Sequence, residues 1–160
     1  MKKNKKKNSL NSFFIERVKK ENDYVLNDLK IKSDSGFVYG IDSCLVSKRG
    51  IFLFNFNDEK KVFYGDEGEF SWIKADPHTF VKVEVSSPSR YIEGAVLTLK
   101  KKTNLEFKPY IIFFNADIIH VDSSLTYNPE KFLFHIRDLE DIYSQEQVDS
   151  FYKELSKIND

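Results

Sequence analysis

The fold is decided by one stretch: Gly40-Ile41-Asp42-Ser43-Cys44-Leu45-Val46, then Ser47-Lys48-Arg49-Gly50, then Ile51-Phe52-Leu53-Phe54-Asn55-Phe56-Asn57. Two β-branched and aromatic runs joined by a four-residue turn with glycine last predict a β-hairpin. Side chains alternate across a strand, so Ile51, Leu53, Asn55 and Asn57 share one face and Phe52, Phe54 and Phe56 the other. Both faces begin apolar, which predicts a strand covered on each side. Asn55 and Asn57 break that pattern near the strand's end, where a buried strand favours Val or Ile.

An Asp on one strand, with two polar groups at i and i+2 on the next, is the layout of a metal-dependent nuclease stripped of most of its charge. The stretch resembles the nuclease-related domain (NERD) family, a branch of the restriction-endonuclease-like fold. The family pattern is Ile-Asp, a short apolar run, a turn ending in Gly-Ile-Phe, then Glu-x-Lys. Ile41-Asp42 and Gly50-Ile51-Phe52 match it, whereas Asn55 stands at the Glu and Asn57 at the Lys. The resemblance implies an α/β fold with a mixed central β-sheet flanked by helices, as a single domain over residues 9–160. Family-like texture runs over roughly residues 10–157.

The resemblance also implies a site in which Asp and Glu hold Mg²⁺ or Mn²⁺ while Lys orients or activates the attacking water. One Asp with two amides holds a dication poorly, because hard cations favour anionic oxygen. Two more departures follow. The family's first helix carries a Glu, whose place falls near Leu10 or Asn11; Glu16 lies about a turn and a half later. Before the central helix the family reads Asn-Pro-x-x-Gln, where Pro88 matches and Tyr91 replaces the Gln. The expected site is therefore vestigial, comprising Asp42, Asn55, Asn57 and Tyr91. Neither a metal nor another cofactor is expected, with Asp42 the ligand if there is one.

Composition bounds the rest. A chain of 160 residues with 41% apolar and 15% aromatic residues can fill one core. Its formal charge is zero, yet Lys2, Lys3, Lys5, Lys6 and Lys7 supply five of the 25 basic residues, leaving a body of about −5. Nonspecific nucleic-acid binding draws on a basic surface. The expected basic elements are a disordered tail over residues 1–8, Arg90, and Lys100, Lys101 and Lys102. The single Cys44 excludes an intrachain disulfide and suits a reducing cytoplasm. The lysine-rich start has no apolar core of a secretory signal, and no run is long enough to span a membrane.

Along the chain, Ser9 or Ser12 is expected to cap a short helix bearing Phe13, Phe14 and Val18. Strands are expected at Tyr24–Ile31, Phe37–Val46 and Ile51–Asn57. A hairpin follows around Glu67-Gly68, then a half-exposed strand from Thr79 to Val85. Ser87-Pro88 opens a helix. Further strands are expected at Pro109–Asn115, Ile118–Val121 and Lys131–Ile136, with a helical turn from Arg137 to Asp141. Ser144-x-x-Gln147 is a capping box for a final helix. Asp66, Glu67 and Glu69 read as a solvated turn tip. His78, His120 and His135 lack partners at ligand spacing.

Three functions fit. The first is a catalytically degenerate nuclease domain kept for binding a protein, a nucleic acid or a second copy of itself. The second is a divergent Mg²⁺- or Mn²⁺-dependent DNA nuclease recruiting Asp42 with Asp58, Glu59 or another carboxylate, although no Lys or His is spaced to activate water. The third is an accessory protein acting through its tail or an aromatic surface.

Overall fold

The computed structural model describes the backbone of residues 2–158 and the side chains of residues 9–158. The tail lysines Lys2, Lys3, Lys5, Lys6 and Lys7 lie outside the described side chains. Thirteen elements follow: α1 (Lys2–Val18), β1 (Tyr24–Lys32), β2 (Val38–Ser47), β3 (Gly50–Asn57), β4 (Val62–Asp66), β5 (Ser71–Ala75), β6 (Lys82–Ser86), α2 (Pro88–Thr103), β7 (Phe107–Phe113), β8 (Asp117–Asp122), β9 (Thr126–Tyr127), α3 (Pro129–Arg137) and α4 (Gln145–Leu155).

A five-stranded mixed sheet in the order β1-β2-β3-β7-β9 forms the centre, and a four-stranded sheet in the order β6-β5-β4-β8 lies beside it. The expected hairpin is β2–β3, antiparallel and closed at Ser47↔Gly50, where Gly50 takes φ +143°. Strand β7 returns parallel to β3 after the α2 crossover. The two faces of β3 divide as the alternation predicts. Ile51 and Leu53 join Ile92, Ala95, Leu99 and Val148 on one side. Phe52, Phe54 and Phe56 join Phe14 and Phe132 on the other. The expected α/β architecture, a mixed sheet flanked by helices, is present.

Helix α2 starts as expected: the Ser87 hydroxyl accepts from the Arg90 N–H, Pro88 sits in the first turn, and Asn104 closes the end at φ 58°. The α4 capping box is complete, with Ser144 and Gln147 exchanging bonds. Three expectations fail. Neither Ser9 nor Ser12 caps α1, which runs through both. Lys131–Ile136 is helix, not strand: Asn128 caps α3 through the Lys131 N–H, Pro129 pre-sets its first turn, and Phe132 and Ile136 are buried one turn apart. The helical turn expected at Arg137–Asp141 is lost with it, because α3 ends at Arg137.

Candidate functional site

Strands β2 and β3 pair from Ser47↔Gly50 to Ser43↔Phe54 and then part. Beyond that point side chains replace the main-chain ladder. The Asp42 N–H donates to Asn55 Oδ1 at 3.0 Å, and the Phe56 N–H donates to Asp42 Oδ2 at 2.8 Å. Asp42 and Asn55 thus bridge the mouth of a fork.

The fork exists because the β1–β2 ribbon turns over. Tyr24 and Leu26 share a core with Leu29 and Ile31, and Cys44 and Val46 share it with Ile41, although their positions differ in parity. Each strand therefore exchanges faces, β1 at Asp28 and β2 at Asp42. Asp28 holds φ 55°, a left-handed conformation that Asp accepts far better than a β-branched residue does. Past this inversion the ribbon leans on α2, where Tyr39 and Tyr91 pack edge to face at 5.3 Å.

A polar cavity of about 600 Å³ opens at Asp42, between α1 and the ribbon, with Asn11, Glu16, Asn27, Asp28 and Lys19 on its wall. Asn11 is thus brought to Asp42, at the place where the family's helix Glu was expected. Its Oδ1 is buried without a hydrogen-bond partner. Glu16 reaches the same cavity but is exposed.

Asn57 is turned to the loop after β3: its Oδ1 accepts from the Glu59 N–H at 3.0 Å, and its Nδ2 donates to Glu59 Oε1 at 3.3 Å. Lys74, from β5, pairs with Glu59 at 2.7 Å. A lysine therefore does stand beside this loop, contrary to expectation. Spacing could not reveal it, because strand pairing brings it from fifteen residues away.

Tyr91 stands apart from the carboxylate, its hydroxyl accepting from the Gly40 N–H at 2.7 Å. Arg90 and Lys100–Lys102 do not form one patch. Arg90 stacks on Phe70 at 4.2 Å, whereas Lys100 pairs with Glu106 at the far end of α2. Asp58 is exposed. Ser124 donates to Glu67, and Glu69 accepts from the Asp66 N–H, so that acidic turn bonds within its own neighbourhood.

A family model for the nuclease-related domain matches residues 3–114, which includes α1, the fork and β7. The chain belongs to that family. Neither the curated proteins nor the solved structures offer a match to the whole chain or a part of it. The matched part of this nuclease-related domain ends at Phe114, short of the family texture read to about residue 157. The fold is restriction-endonuclease-like, and Asp42 stands at the fork.

The family's divalent cation does not fit the donors found here. Asn11, Asn55 and Asn57 are neutral, and Asp42 already accepts a main-chain N–H. Among the described residues, no three His, Cys, Asp or Glu side chains converge to hold a metal ion.

Proposed function

We propose that this nuclease-related domain is catalytically degenerate and serves as a binding module. The observation carrying this reading is the fork itself. Asp42 and Asn55 satisfy each other's strands by hydrogen bonds, doing structurally what a metal site would require them to do chemically. Neutral amides at Asn11, Asn55 and Asn57 leave Asp42 the one carboxylate of these four positions, and Glu16 and Asp28 on the cavity wall do not converge with it into a metal-holding group. A protein partner suits the acidic body better than a phosphate backbone, since Arg90 and Lys100–Lys102 lie at opposite ends of α2.

The test is incubation of supercoiled plasmid with the pure protein and Mg²⁺ or Mn²⁺, alongside calorimetric titration with Mn²⁺. The expected result is intact plasmid and no heat of tight binding. Cleavage that disappears in Asp42→Ala would overturn the reading.

One observation favours a divergent nuclease instead, which is the Glu59–Lys74 pair beside Asn57. In that case cleavage is lost in Glu59→Gln and in Lys74→Ala as well as in Asp42→Ala.

A further inference from the structure

Strand β6 ends the four-stranded sheet, with β5 its only paired neighbour among the described residues. An edge of this kind presents unpaired main-chain groups to any passing strand. Proteins usually blunt it, yet here the apolar side chains are in the open: Phe80 is 76% exposed, Val81 62% and Val83 47%.

The register on β5 fixes which groups face out. The Asp76 N–H donates to the Val81 carbonyl, and the Ser87 N–H donates to the Phe70 carbonyl. Antiparallel pairing alternates, so Val81, Val83 and Val85 bond inward, while the N–H and C=O of Lys82, Glu84 and Ser86 point away from the sheet.

The sequence of this edge is a palindrome in hydropathy whose charge changes sign about its centre: Val81-Lys82-Val83-Glu84-Val85. We propose that β6 pairs antiparallel with β6 of a second copy, centred on Val83, joining two four-stranded sheets into one. In that register Lys82 lies opposite Glu84 of the other copy, and Glu84 opposite its Lys82. These are the residues whose main-chain groups face outward, so both pairs fall at hydrogen-bonded positions about 5.5 Å apart between Cα atoms. Val83 meets its own counterpart at the two-fold axis, and Val81 meets Val85. Directly opposed residues share a sheet face, so charge meets opposite charge on one side and valine meets valine on the other.

No described residue forms an ion pair with Lys82 or Glu84 within the chain. Lys82 lies over the Tyr64 ring at 5.5 Å, on the face opposite the valines. A foreign strand would have to reproduce the same charge order, which a second copy supplies automatically through two-fold symmetry. The edge belongs to the four-stranded sheet and the fork to the five-stranded one, so this inference does not depend on whether the fork cleaves anything.

Sedimentation velocity of the full chain over a wide concentration range tests it. Wild type is expected to approach twice the monomer mass. Lys82→Glu and Glu84→Lys each place like charges across both pairs, and each is expected to weaken the dimer at least about tenfold. Mixed in equal amounts, the two variants regain opposite charges at every pair and are expected to form a heterodimer. Glu84→Pro removes an outward donor without touching the β5 ladder, and is expected to be monomeric with an unchanged circular dichroism spectrum. A wild type that stays monomeric throughout overturns the proposal. So does a dimer indifferent to both charge reversals, or a mixture of the two variants that fails to associate.

Discussion

Asp42 Oδ2 accepts from the Phe56 N–H across the fork, and Asn55 Oδ1 plays the same part for the Asp42 N–H. Removing either leaves a partly buried donor unpaired, at a cost of about 1–3 kcal/mol. Asp42→Ala and Asn55→Ala are each expected to lower the urea midpoint, and an unchanged midpoint in both would show that the fork does not rest on these bonds. Cys44 is fully buried, and burial pushes its thiol up to about 12. The folded protein should therefore resist thiol reagents at pH 8 and react at once in denaturant. Asp76 is the opposite case. The N–H groups of Thr79 and His78, with Lys61 behind them, hold its carboxyl far below the ordinary 3.8. A depressed carboxylate stabilises the fold fully above its unfolded value and loses that contribution as pH falls through the folded one. The acid-side fall in melting temperature below about pH 4 should therefore be shallower in Asp76→Asn than in wild type.

Among the elements, β2 and β3 were legible because a period of two and a glycine-closed turn leave little choice of register. Helix α3 was not. Lys131-Phe132-Leu133-Phe134-His135-Ile136 is an apolar run of strand length, and periodicity alone does not separate it from a buried helix. The decision lies just upstream, in the Asn128 cap and Pro129. Asn128→Ala should cost about 1 kcal/mol in thermal unfolding, the usual value of a lost cap. The fork was half legible. Asp42, Asn55 and the place of Asn11 could be read from a motif, but the Glu59–Lys74 pair depends on the packing of β5 and has no signature in spacing. Gly65 carries a similarly hidden constraint. A Cβ there would meet the buried Trp72 ring at 2.3 Å, so Gly65→Ala should overpack β4 against β5 and destabilise by about 1–3 kcal/mol.

At the scale of the molecule, β3 is the wall between two cores. Its phenylalanine face is aromatic throughout: Phe54 touches Phe14 at 5.5 Å and Phe132 at 5.3 Å between ring centroids, which binds α1 and α3 to one sheet. Phe54→Ala should cost about 3–5 kcal/mol, a large part of the roughly 5–15 kcal/mol that holds an ordinary domain together. Calorimetry should show both helices melting earlier with the sheet, as one transition. The fork sits where that wall ends, and its bridging side chains act as a caliper. Aspartate and asparagine have the same short reach, so together they set the aperture between the parted strands, beside the cavity that Asp42 lines. A glutamate at position 55 would be one methylene longer and would widen that aperture as well as recharge it. Asn55→Asp changes the charge alone, and so separates the lost acid from the lost width.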